Sequence, residues 1–133
     1  MIDIYSLSTN ELVVKLRSGD ISSVEVCNAY IDRVNKYEKD VKAWSFLDKK
    51  NLLEKAEEAD VYRKTGKPIG PLHGLPIAIK DIIATYDMPT ECGSILRKGV
   101  TGAADAEVVN LIKASGALAV SYTHLTLPTM FEV

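Results

Sequence analysis

KPIGPLHGLPIAIKDII, at residues 67–83, is the stretch of sequence on which the fold depends. Its first ten residues, 67–76, contain three prolines and two glycines, which remove backbone donors and favour turns, so they predict a loop. The run at 77–83 is apolar apart from Lys80 and Asp81, and its length is that of a buried β-strand. A loop followed by a buried strand is therefore expected here.

A helix and a second strand are predicted downstream of this stretch. Ala104 and Asp105 precede a helical pattern of apolar residues that Gly116 ends, which predicts a helix over about 105–115. Residues 117–120 form a second short apolar run. Strand, helix and strand in this order predict a β-α-β unit, with parallel strands in one sheet and ligands bound at their carboxyl ends.

The sequence upstream is more charged and predicts amphipathic helices. Residues 1–66 hold 23 of the 34 charged side chains. Ser8 and Ser22 each stand three residues before a glutamate, a pattern typical of a capping box at the start of a helix. Asp48 is a further candidate cap, so three helices are predicted, over residues 9–17, 23–38 and 49–65. A short strand over 41–47 is predicted before the third helix.

Length and composition exclude several classes of protein. The 133 residues, 47% hydrophobic and 26% charged, indicate one soluble globular domain or part of one. Sixteen basic and eighteen acidic residues make a nucleic-acid partner a poor expectation. Cys27 and Cys92 are too far apart for a zinc motif, no apolar run approaches a membrane span, and no phosphate-binding glycine pattern occurs. We expect no cofactor, no metal, no membrane and a cytoplasmic location.

Lys80 is the candidate with the clearest chemistry. Strand alternation places it on the same face as Ala78 and Ile82. A desolvated lysine can act as a base, because burial disfavours the ammonium form and frees a lone pair. The alternative is that Lys80 and Asp81 mark the end of the strand, with the amine reaching water.

The other polar candidates lack visible partners. His73 could shuttle a proton or bind a metal, but the only other histidine is His124, so a role in loop packing is expected. Cys92 is a possible nucleophile between the hydroxyls of Thr90 and Ser94, yet no base adjoins it in the sequence to activate it.

Read as one string, residues 70–82 resemble the opening motif of the amidase signature family, serine hydrolases that cleave or transfer amides. The resemblance covers residues 1 to about 120 and includes further segments, namely 16–25 (LRSGDISSVE), 88–94 (MPTECGS), 104–106 (ADA) and 114–117 (ASGA). It implies an α/β fold in which N-terminal helices and the β-α-β unit form the truncated start of a mixed sheet covered by helices.

The resemblance also implies a Ser-Ser-Lys triad in which lysine and a bridging serine activate a second serine against an amide carbon. Lys80 occupies the position of the family's lysine. Both serines of the family belong to sequence beyond residue 133, so Ser94, Ser115 and Ser121 are not assigned to their places. The implied substrate is a small-molecule amide, and the chemistry needs no metal or organic cofactor.

The end of the chain departs from the family. After Val120 the family continues with Gly-Lys-Thr, whereas residues 121–133 read SYTHLTLPTMFEV. We therefore predict a family domain over 1–120 and a non-native tail over 121–133, with a divergent natural terminus as the alternative.

Three functions remain open at this point. The first is the N-terminal fragment of a stand-alone amidase, inactive alone because it supplies only the lysine; residues 87–94 are more similar to these members. The second is the glutaminase component of the aminoacyl-tRNA amidotransferase, which has a similar motif. The third is a non-catalytic helical interaction module, which leaves the string around Lys80 unexplained.

Overall fold

The computed structural model describes residues 3–123, which form four α-helices and a three-stranded sheet. In chain order these elements, together with two single-turn 3-10 helices at Ile4–Ser6 and Ile95–Arg97, are α1 (Thr9–Ser18), α2 (Ser23–Val41), β1 (Trp44–Leu47), α3 (Lys49–Lys64), β2 (Pro76–Lys80), α4 (Glu107–Ala114) and β3 (Leu118–Thr123). Within residues 3–123 no helix is long and apolar enough to cross a bilayer.

The predicted capping boxes define the starts of α1 and α2. The Ser22 hydroxyl accepts the N–H of Glu25 at 3.0 Å, and the Glu25 carboxylate accepts the N–H of Ser22 at 2.8 Å. Ser8 and Glu11 make the same reciprocal pair at the start of α1. Both pairs satisfy backbone donors that a helix start leaves free. The bounds of α1, α2 and α3 confirm the three predicted helices to within a few residues.

The sheet confirms the β-α-β unit. Its strand order is β1-β3-β2, with β2 parallel to β3 and β1 antiparallel to β3. Helix α4 lies in the connection between the two parallel strands. Lys80 and Trp44 both pair with Thr123, so one end of the sheet brings together the last residue of β2, the last of β3 and the first of β1.

Three predicted boundaries are wrong. Strand β1 starts at Trp44, not Val41, because α2 continues through Val41 and is capped by Lys42, which has a left-handed backbone. Strand β2 ends at Lys80, not Ile83, because the carbonyl of Lys80 accepts the N–H groups of both Ile82 and Ile83 and the chain turns. Helix α4 starts at Glu107, not Asp105. The Asp105 carboxylate accepts the N–H of Tyr86 instead of capping the helix.

Strand β3 continues past the predicted end of the family domain at residue 120. Residues 121–123 pair with both β1 and β2, so the sheet extends three residues into the segment predicted to be a non-native tail. The remainder of the predicted tail, 124–133, lies outside the described residues, as does His124.

Three apolar clusters pack the helices around the sheet. One joins α2 and α3 to Leu118 of β3, and one joins α1 and α2 to Leu75, which directly precedes β2. The third packs Val109 of α4 against Ile79 and Ala119. The carboxyl ends of β2 and β3 therefore have a fixed scaffold behind them, and in parallel α/β units ligands bind at this edge.

Candidate active site

Lys80 is the last residue of β2 and lies at the carboxyl end of the parallel strand pair, partly buried. Its main chain is held by β3. It pairs with Thr123, and the next residue, Asp81, donates its N–H to the Thr123 carbonyl at 3.1 Å. Within residues 3–123 the Lys80 side chain makes no ion pair or hydrogen bond. A lysine at a fixed strand end with an uncommitted amine is suited to proton transfer.

Asp81 is buried, with 2% of its surface exposed. Its Oδ1 accepts the backbone N–H of Glu91 at 2.7 Å. This contact connects the end of β2 to the loop that leads to α4. Sequence reasoning missed this role and assigned Asp81 only to the strand end; the signal that could have found it is a second charge beside Lys80 in an apolar run.

Residues 88–101, which we call the lobe, form an ordered turn structure at this edge. The Thr90 N–H donates to the carbonyl of Val100 at 2.7 Å, next to an antiparallel bridge between Pro89 and Thr101. The side chain of Glu91 accepts the N–H of Gly99 at 2.8 Å. Hydrogen bonds thus join the two ends of the lobe to each other, and Asp81 attaches the lobe to β2.

A charged cluster supports the loop that precedes the lobe. Lys113 of α4 donates to Asp105 at 2.8 Å and to Asp87 at 3.3 Å, and Lys55 of α3 reaches Asp87 at 3.4 Å. Burial opposes ionisation of Asp105, but hydrogen bonds from Lys113 and from the Tyr86 N–H outweigh it and hold the pKa of Asp105 below its usual value. The cluster joins α3, α4 and this loop.

The glycines of the loop before β2 have a packing role. A Cβ on Gly70 would overlap the carbonyl of Ser115, and a Cβ on Gly74, which has φ +76°, would overlap the Ser23 hydroxyl. The N–H of Gly74 donates to the carbonyl of Gly116 at 2.9 Å. The loop therefore lies directly against the turn between α4 and β3, and this contact aligns β2 with β3.

His73 packs the loop against α3, in agreement with the expected packing role. Its Nε2 lies 2.9 Å from the carbonyl of Ala59, and its ring lies against Tyr62. In the part of the chain that the structure describes, no group of three or more His, Cys, Asp or Glu side chains could hold a metal ion.

The remaining candidate nucleophiles differ in burial and in hydrogen bonding. Cys27 is fully buried, and burial, with a smaller contribution from Asp60, raises the pKa of its thiol to about 12, so it is protonated at neutral pH. Cys92 is half-buried in the lobe with a left-handed backbone at φ +55°. The Ser115 hydroxyl donates to the carbonyl of Ile112 at 2.7 Å and serves the end of α4.

An apolar groove of about 620 Å³ lies away from these groups. It runs between α2, β1 and the first residues of β2, and its lining includes Tyr37, Trp44 and Ala78 but not Lys80. The groove therefore does not by itself form a site around the candidate lysine.

Comparison with known proteins places these features in context. Residues 25–131 match the protein family described as Amidase. The chain is 36% identical over 118 residues to a glutamyl-tRNA(Gln) amidotransferase subunit of Rhodopirellula baltica, and 38% identical over 125 residues to the corresponding subunit of Leptospira interrogans. These matches cover 89% and 94% of this chain but 24% and 26% of the relatives.

Solved structures show the same fold. The native peptide amidase of Stenotrophomonas maltophilia is similar with a TM-score of 0.84 and 28% identity, over 92% of this chain and 26% of that one. A fatty acid amide hydrolase is similar with a TM-score of 0.83 and 31% identity, over 90% of this chain and 21% of that one. The chain spans about a quarter of the length of the proteins it matches.

Proposed function

This chain belongs to the amidase signature family, and from that membership we propose that it contributes the lysine of a site that hydrolyses amide bonds, with Lys80 as that lysine. The observation that carries the proposal is the position of Lys80. It ends β2 at the carboxyl edge of a parallel strand pair, and its main chain is held by Thr123. The string of residues that resembles the family motif ends at this same edge.

In the proposed mechanism Lys80 is the final proton acceptor of the triad. It accepts the proton of a bridging serine, which accepts the proton of a second serine as that oxygen attacks the amide carbon. Lys80 then returns the proton through the same hydroxyl to the departing nitrogen, leaving an acyl-enzyme that water hydrolyses. The two serines, and the backbone amides that would stabilise the tetrahedral oxyanion, are not assigned to any residue of this chain.

The proposed chemistry uses proton transfers and two acyl transfers, first to the serine and then to water, so it requires neither a metal nor an organic cofactor. The substrate class is a small-molecule amide. We propose a cytoplasmic enzyme without direct binding to nucleic acid or membrane, and we expect the 133-residue chain to be inactive by itself because it supplies only the lysine.

A second candidate is the glutaminase component of an aminoacyl-tRNA amidotransferase. The names of the curated relatives favour it, since the two described above are both glutamyl-tRNA(Gln) amidotransferase subunits. The similarity of residues 87–94 to stand-alone amidases favours the first candidate. In both cases the proposed role of Lys80 is the same, and the substrate distinguishes them: glutamine for the amidotransferase, other amides for the stand-alone enzyme.

The test uses this chain continued, by recovery of the downstream coding sequence, to the length of its relatives. Lys80→Ala should lower kcat by roughly a thousandfold or more, because members of a catalytic triad act as a unit. Lys98→Ala, in an exposed part of the lobe, and Cys92→Ala should retain activity. Ammonia or amine release from glutamine and from a panel of aryl and aliphatic amides is the measurement. Lys80→Ala with more than a tenth of wild-type turnover contradicts the proposal, as does abolition by Cys92→Ala.

A further inference from the structure

We infer that Asp81 is a positioning residue for Lys80. Its buried carboxylate attaches the lobe to the end of β2 and so fixes the direction in which the Lys80 side chain extends from the sheet. This inference rests on the proposed function of Lys80 and adds a second residue to that site. Asp81 itself is not placed in contact with a substrate.

The burial of Asp81 requires a compensating contact. A carboxylate with 2% of its surface exposed has lost most of its hydration, which is unfavourable unless its oxygens accept hydrogen bonds. The N–H of Glu91, at 2.7 Å from Oδ1, supplies one across ten residues of sequence. Because a backbone N–H moves only with its own chain, this bond ties the Asp81 side chain to the path of the lobe.

The peptide unit that follows Lys80 is held as well. The N–H of Asp81 donates to the Thr123 carbonyl at 3.1 Å, and the Lys80 carbonyl accepts the N–H groups of Ile82 at 2.7 Å and Ile83 at 3.0 Å. The peptide between Lys80 and Asp81 therefore has little freedom to rotate. Loss of the hydrogen bond between the Asp81 side chain and Glu91 would detach the lobe from the end of β2.

The far end of the contact is also rigid. Glu91 lies between the Thr90–Val100 hydrogen bond and its own side-chain bond to Gly99. An anchor can position another residue only if it does not itself move, and the lobe meets this condition through its internal bonds.

A purely structural role for Asp81 makes a different prediction from a positioning role. Loss of a structural contact lowers stability and leaves the turnover of the molecules that remain folded unchanged. Loss of a positioning contact lowers kcat in folded protein with little effect on KM, because misplacement of a reacting group affects the transition state more than substrate binding.

The experiment compares Asp81→Ala, Asp81→Asn and Lys80→Ala in the protein continued to the length of its relatives, with amide hydrolysis and backbone amide exchange as readouts. Asp81→Ala should lower kcat at least tenfold with KM within threefold, and should speed exchange of the Glu91 amide while α1, α2 and α3 stay protected. Asp81→Asn keeps an oxygen acceptor at the same position and should retain kcat within threefold.

A second pair of variants covers the case in which Asp81→Ala does not fold. Glu91→Pro removes the donor N–H and should lower kcat at least tenfold. Glu91→Ala keeps that N–H, loses only the contact to Gly99 and should lower kcat by a smaller factor than Glu91→Pro. Wild-type kcat in Asp81→Ala or Glu91→Pro overturns the inference, as does an equal loss in Asp81→Asn and Asp81→Ala. Activity retained by Lys80→Ala refutes the proposed function instead, so the two failures are distinguishable.

Discussion

The carboxylate of Asp60, on α3, accepts the backbone N–H of Ser23 at 2.8 Å and so caps the first turn of α2 from 37 residues away. Its other oxygen accepts the N–H of Val24 at 3.1 Å. Arg63 completes the contact, because its guanidinium donates to Asp60 at 3.1 Å and to the carbonyls of Leu16 and Ile21. One pair of charges thus joins α1, α2 and α3.

Asp60→Ala should destabilise the fold by about 3–5 kcal/mol, because it leaves the largely buried Arg63 without its anion and removes the acceptor for two helix-start donors. Urea unfolding of the 133-residue chain, followed by the fluorescence of its single tryptophan, Trp44, measures the change. Glu54→Ala is the control. The side chains of Glu54 and its ion-pair partner Lys50 are 59% and 87% exposed, so the pair should contribute less than about 1 kcal/mol. Equal losses in the two variants would refute the role of Asp60.

Gly70→Ala should also destabilise the protein, by about 2 kcal/mol or more, since the added Cβ meets a backbone carbonyl, that of Ser115, which cannot rotate away. The matched control is Gly66→Ala. Gly66 has φ +72° and open space around it, so alanine there adds only backbone strain of about 1 kcal/mol. Thermal or urea unfolding compares the two, and a Gly70→Ala variant as stable as Gly66→Ala would contradict the close packing of this loop.

The starts of α1 and α2 and the β-α-β order were predictable from the sequence because their signals are local. A capping box needs a serine and a glutamate three residues apart, and both are visible in the chain. The left-handed Gly19 and Gly116 that follow α1 and α4 are equally local signals. The role proposed for Lys80 came from resemblance to a family, and the structure adds its place at the sheet edge.

Features that depend on distant residues were not predictable. The Asp60–Ser23 contact spans 37 residues, and nothing near Asp60 in the sequence distinguishes it from the other acidic residues of α3. Asp105 was expected to open α4 because acidic residues favour helix starts, but the N–H of Tyr86 takes its carboxylate. The apolar Ile82 and Ile83 extended the predicted strand, although the turn that ends it is made by backbone bonds to the Lys80 carbonyl.

Acidification should weaken the fold through carboxylates whose pKa is lowered in the folded state. Hydrogen bonds from the Ser22 side chain and backbone lower the pKa of Glu25. A lowered folded pKa means that the unfolded chain binds more protons, so this contribution to stability is present above the unfolded value, about 4.3, and is lost as the pH falls through the folded one. Glu25→Gln should therefore show a smaller loss of stability between neutral pH and pH 3 than the wild type.

Glu57→Gln, at an exposed position on α3, is the control for this pH dependence and should follow the wild-type curve. Urea unfolding at a series of pH values measures both variants. A Glu25→Gln curve parallel to that of the wild type would show that the α2 capping box does not contribute to acid sensitivity.

Truncation tests where the native fold ends. Strand β1 pairs with β3 only through residues 121–123, with Trp44 opposite Thr123, Phe46 opposite Tyr122 and Leu47 opposite Ser121. A chain that ends at residue 120 therefore leaves β1 without a partner and removes the carbonyl that accepts the Asp81 N–H. At about 0.5–1.5 kcal/mol for each net backbone hydrogen bond, we expect this truncation to cost about 2 kcal/mol or more.

A chain that ends at Thr123 keeps every one of these pairs, and we predict that it unfolds at the same urea concentration as the 133-residue chain, since residues 124–133 are predicted to add no native packing. Trp44 fluorescence reports directly on β1 in both truncations. Equal stability of the chains ending at 120 and 123 would place the end of the fold at 120, and a large loss in the chain ending at 123 would show that the last ten residues belong to it.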